Sequence, residues 1–127
     1  MKTVFKSIIA VLFAFYALHS APIVHKKNKG GYDIELVSEK SLSVGSNKFF
    51  ISLSKDGEVV KDAKVKVKFF MPEMPGMPYM EYGDKAKLVG DKYEASASLS
   101  MSGTWQYSVK FKTKEGKVHA IRGSLNL

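Results

Sequence analysis

Met71, Met74, Met77 and Met80 recur at every third position of MPEMPGMPYM, interleaved with Pro72, Pro75 and Pro78. A thioether is a soft, uncharged donor, which favours Cu(I), and by the same softness Ag(I), over Zn(II), Mg(II) or Ca(II). It carries no proton to displace, so binding through sulfur alone should vary little with pH. Three prolines remove three backbone donors, which excludes a helix or a central strand over this stretch. Proline favours the polyproline II conformation with its three residues per turn, which puts all four sulfurs on one side. One such turn rises about 9 Å, too far for neighbouring sulfurs to share an ion. Chelation therefore requires a bend, and Pro75-Gly76 has the composition for one. Methionine also fills gaps in cores and makes adaptable apolar surfaces. The same loop without metal would be an apolar docking patch for a protein of a membrane complex.

Little else in the chain points to chemistry. The absence of cysteine excludes disulfides, thiolate zinc sites and a cysteine nucleophile. Histidine occurs only at positions 19, 25 and 119, and no Ser/His/Asp set has supporting spacing. Glu73, Glu81 and Asp84 read as scattered, solvated loop acids, and Gly30-Gly31 as a linker pair rather than a phosphate cradle. Neither an enzyme nor a binder of small organic substrates is expected.

The elements that must position the methionines follow from period-two alternation. Val65, Val67, Phe69 and Met71 share one face of a strand, with Lys64, Lys66 and Lys68 on the other. Met71 is thus both the first sulfur of the array and the last residue of an inward face. The same alternation places Tyr32, Ile34 and Leu36 together, then Phe49, Ile51 and Leu53, then Tyr93, Ala95, Ala97 and Leu99. It continues through Trp105, Tyr107, Val109 and Phe111 to His119, Ile121, Gly123 and Leu125. About seven short strands and no amphipathic helix predict an all-β domain, an immunoglobulin-like antiparallel β-sandwich with no disulfide. Successive loops of such a run alternate between its two ends. The methionine loop and residues 100–104 then share an end, which makes Met101 a further candidate sulfur. Trp105 beside it reads as core or as a cation–π lid. The Lys114–Lys117 turn, with His119 beyond it, belongs to the opposite end, whereas His25 could reach either.

The N-terminus reads as an address. Lys2 and Lys6 precede an eleven-residue apolar run, Ile8 to Leu18, and small residues follow at Ser20 and Ala21. This is the pattern of a secretory signal peptide over residues 1–20, cleaved after Ser20. The run rises about half a hydrocarbon core as a helix, which makes an uncleaved membrane anchor the weaker reading. Residues 21–31 then read as a flexible basic tether, and 32–127 as the sandwich domain. The formal charge of +8 has no nucleic acid to meet outside the cytoplasm, and the outward lysines read as a solvated face. The expected location is periplasmic or secreted.

MPEMPGMPYM after a strand, followed by SGTWQYSVKFKTKEGKVHAIRGSLNL, resembles the YtkA-like domains and the related FixH-like periplasmic domains. The resemblance implies an immunoglobulin-like sandwich, export or tethering, and metal sites at Met71, Met74, Met77 and Met80. It also implies copper or heavy-metal handling, with a membrane efflux or cytochrome-oxidase assembly protein as metal donor or acceptor. Where relatives carry a histidine in or just after the loop, this chain has Glu81-Tyr82, which leaves Cu(I) as the ion implied.

Overall fold

The computed structural model describes residues 22–127, and the signal peptide expected over residues 1–20 lies outside them. Alternating apolar and polar residues produce most of the strands, and no helix forms among the described residues. The strands are β1 (Val24–Lys29), β2 (Tyr32–Ser38), β3 (Gly45–Lys55), β4 (Glu58–Val59) and β5 (Lys64–Met71). They continue as β6 (Met80–Val89), β7 (Lys92–Leu99), β8 (Thr104–Lys112) and β9 (Val118–Asn126).

All pairings are antiparallel and fall into two layers. The first sheet runs β1-β2-β3-β7, with the short β4 on β3, and the second runs β6-β5-β8-β9. Strand β6 joins them, because residues 80–86 pair with β5 and residues 87–89 with β7. The order is therefore continuous, and it brings the outermost strands β1 and β9 near one another.

Between the layers lies one apolar core. Phe49 of β3 stacks on Phe69 of β5 with ring centroids 4.7 Å apart, and Tyr32 meets the edge of Phe111 at 5.3 Å. Every residue expected on the inward faces of β2, β3, β5, β7 and β8 is buried. Burying each large apolar side chain contributes about 1.5–3 kcal/mol, which is how a chain of this size dispenses with disulfides.

Two elements depart from expectation. Residues 24–29, read as part of a tether, form β1, paired with β2 from Val24–Val37 to Lys29–Tyr32. The glycines that looked like a linker make the turn, with φ of 61° at Gly30 and 84° at Gly31. A two-residue type I′ hairpin turn, whose twist matches the strands, needs positive φ at both central positions. A Cβ at Gly30 would also stand 2.8 Å from the His119 ring. The second addition is β4, which with β1 raises the count among the described residues to nine.

Segment 60–63 carries the chain from the first sheet to the second, and one tyrosine fastens it. Tyr93 donates its hydroxyl to the Val60 carbonyl at 2.8 Å and accepts the Ala63 N–H at 3.2 Å. Burial raises its pKa above the ordinary phenol value, so it stays a donor. Tyr93→Phe leaves both backbone groups without that partner and should cost about 1–2 kcal/mol. Urea unfolding should show a lower midpoint at unchanged slope.

Candidate metal centre

The methionine segment folds back on itself at the predicted place. Met74 N–H donates to the Met77 carbonyl at 2.9 Å, and Met77 N–H to the Met74 carbonyl at 2.8 Å. The two-residue tip between them is Pro75-Gly76, with Gly76 at φ 77°. Proline at the first position and positive φ at the second are what a type II turn requires. A turn of that hand splays the strands that follow it. Pro72 and Pro78 also lack the N–H groups to continue a ladder. Pairing accordingly lapses, then resumes where Met71 faces Met80 as the closing pair of β5 and β6.

The consequence for sulfur is direct. Residues directly opposite in an antiparallel pair project to the same side, with Cβ atoms about 5 Å apart. Met74 and Met77 thus form one such pair, and Met71 and Met80 another, placed symmetrically about Pro75-Gly76. The fold-back replaces the polyproline spacing with cross-strand spacing, within which two flexible thioethers can share an ion. Met74 is exposed, whereas Met77 and Met80 are half-buried against the core. Met71 is 2% exposed, as the inward face of β5 demands.

The loop joining β7 to β8 lies at the same end, as strand parity predicted. Ser100 Oγ is 3.4 Å from Met80 Sδ and donates to it. Met71 Cε sits 3.2 Å from where a Cβ of Gly103 would be. Met101 packs half-buried on the core, and its carbonyl accepts the Trp105 indole N–H at 3.0 Å. Trp105 itself is 1% exposed. It is therefore a core residue that pins the Met101 backbone, not a lid over the methionines.

His25 and His119 are placed elsewhere. His119 stacks against Phe111 and Tyr32 at the opposite end, with centroids 5.1 and 5.2 Å away. His25 lies on β1, where its Nδ1 is hydrogen-bonded to Tyr107 Oη at 2.9 Å. Among the described residues, no three His, Asp or Glu side chains gather into a metal-binding group.

Two contributions were not read from the sequence. One is the Ser100 hydroxyl on the Met80 sulfur, which nothing in the spacing of either residue announces. The other is a brace on the outside of the hairpin. Tyr79 stacks on Phe70 at 6.2 Å and donates to Glu81 Oε2 at 2.8 Å. That hydrogen bond to Glu81 holds the Tyr79 pKa above the ordinary phenol value. Aromatic residues at 70, 79 and 82 around the methionines were its only signal.

No curated protein matches the chain. The YtkA-like family model matches residues 26–110, a span from β1 into β8 that includes the whole methionine hairpin, and the chain belongs to the YtkA-like family.

Proposed function

We propose that this protein is an exported carrier of Cu(I), able to take Ag(I) in its place. Met74, Met77 and Met80 hold the ion, Met101 stands beside them, and Met71 forms the floor beneath. The recipient or donor is a membrane efflux or cytochrome-oxidase assembly protein. The observation that carries this reading is the fold-back at Pro75-Gly76, which pairs Met74 with Met77. Neutral soft donors select Cu(I) and lose no proton on binding. In an oxidising compartment they cannot be lost to disulfides, although sulfoxide formation would disable them. The exposed Met74 at the tip gives a partner's ligands a point of entry, so the ion can pass by stepwise exchange of sulfurs.

Anaerobic titration against a chromophoric Cu(I) chelator tests the reading. One ion per chain is expected, with an affinity that changes less than about threefold between about pH 5.5 and 7.5, since no donor titrates there. X-ray absorption should report sulfur as the dominant neighbour of copper. Failure to compete for the ion overturns the proposal. Exposure of Met74 and Tyr79, 47% each, also favours the second reading, an apolar docking patch. That reading is supported if partner capture survives after every sulfur in the loop has been replaced.

A further inference from the structure

The outer face of the second sheet presents cations in register. Lys85, Lys66 and Lys110 stand directly across from one another on β6, β5 and β8. The neighbouring row reads Gly83, Lys68, Ser108 and Arg122, and the row on the other side sets Lys64 beside Lys112. Like charges placed opposite one another destabilise a sheet. Among the described residues, none of these seven cations has a carboxylate oxygen within 4.0 Å. The ion pairs lie elsewhere, at Lys26, Lys48 and Lys61. The two acids of β6 are engaged: Asp84 accepts the Ser96 N–H at 3.0 Å, and Glu81 accepts from Tyr79.

A groove crosses this face. Gly83 contributes no side chain, and an open channel of about 550 Å³ runs past it between Lys66, Lys68, Lys85 and Lys110. Ser108 also lines it, only 5% exposed, and its Oγ has no hydrogen-bond partner. A buried hydroxyl left without an acceptor is costly. Here the missing acceptor belongs in a channel lined by five lysines, Lys66, Lys68, Lys85, Lys87 and Lys110, against one acid, Asp84. An anionic oxygen there would satisfy both the hydroxyl and the ammonium groups. At the end of the face next to the methionine hairpin, Lys68 Nζ lies 5.2 Å over the Phe70 ring, and Phe70 stacks on the exposed Tyr79.

We propose that this face docks on an anionic phospholipid surface. A headgroup phosphate sits between Lys66 and Lys110 and accepts the Ser108 hydroxyl, and the Phe70–Tyr79 edge rests at headgroup level. Three strand spacings make the face about 14 Å wide, and its rows of cations match a plane of charges better than a single ion. Basic residues are drawn to anionic lipid, and aromatic rims favour the membrane–water interface. The inference goes beyond the carrier reading and needs no metal. If both hold, the methionine hairpin lies at the membrane surface, where a membrane-embedded partner is reached.

Co-sedimentation of the metal-free protein tests it, using vesicles of phosphatidylcholine alone or with about one third phosphatidylglycerol, an anionic lipid. Binding is expected only to the anionic vesicles, weakening as salt is raised. Lys66→Glu with Lys110→Glu should weaken it at least about tenfold, and Ser108→Ala about threefold at unchanged charge. Lys26→Glu with Lys40→Glu, the same charge change placed on β1 and on the loop after β2, should leave binding within about twofold. The Lys66/Lys110 variant should melt close to the parent, because one like-charge cross-strand pair replaces another while the glutamate at position 66 gains Lys85 as an opposite-charge neighbour. Equal loss from both double variants would mean net charge alone and overturn the site. So would undiminished binding by the Lys66/Lys110 variant. Displacement from vesicles by inorganic phosphate at millimolar concentration would make the ligand a soluble phosphate and overturn the membrane assignment.

Discussion

Replacing Met74, Met77 and Met80 together by leucine should lower Cu(I) affinity by more than about 100-fold, beyond what losing the supports of a metal ligand does. The fold should survive, since Leu for Met conserves volume and costs less than about 1.5 kcal/mol per site. The backbone bonds between residues 74 and 77 and the Met71–Met80 strand pair involve no side-chain sulfur. Leucine keeps the apolar surface and removes only the donor, so metal binding and apolar docking respond oppositely. Chelator competition reads the first and partner capture the second. Met71→Leu alone should change affinity less than about threefold, because its sulfur is sealed in the core and a volume-conserving swap there leaves the hairpin in place. Undiminished Cu(I) binding by the triple variant would refute sulfur ligation at the hairpin.

Strand alternation made the core legible from the sequence, because one buried face imposes a period of two on every strand. Residues such as Phe69, Tyr93 and Trp105 lie where that period puts them. Parity then placed Met101 at the methionine end and His119 at the other. β1 was not legible, because HKKNK has no apolar alternation and pairs at an edge that needs no buried face. The methionine pairing was legible in part. Pro75-Gly76 announced the bend, while the symmetry of Met71 with Met80 and of Met74 with Met77 about it, which encodes a hairpin, was read as a three-residue repeat. The lysines of the second sheet could be assigned to an outer face one strand at a time. Their alignment across three strands, and the burial of Ser108 among them, depend on register between segments far apart in sequence, and no single strand carries that.

Gly123→Ala should destabilise the fold by about 3 kcal/mol or more, combining overpacking with a lost hydrogen bond, although alanine suits a strand better than glycine does. Gly123 is the cross-strand partner of Tyr107, whose fully buried ring lies over the space a side chain would fill. A Cβ there would press on the Tyr107 hydroxyl and stand 2.5 Å from Cζ. From that position the hydroxyl reaches His25 on β1, and burial keeps it protonated by raising its pKa. Glycine in β9 thus lets a tyrosine of β8 tie the first strand of one sheet to the last strands of the other. Displacing the ring should expose core surface and release β1 together, and hydrogen exchange at residues 24–29 would report the release. Tyr107→Phe separates the two effects, since it keeps the ring and deletes the tie, at about 1 kcal/mol. In a Tyr107→Ala background the space is empty, and Gly123→Ala should there become neutral or stabilising by up to about 1 kcal/mol, the ordinary advantage of alanine over glycine in a strand. That reversal of sign in a double-mutant cycle is specific to a ring occupying the glycine's place. If Gly123→Ala instead costs the same in both backgrounds, the ring and the glycine are not coupled, and the closure between β1 and β9 rests on other contacts.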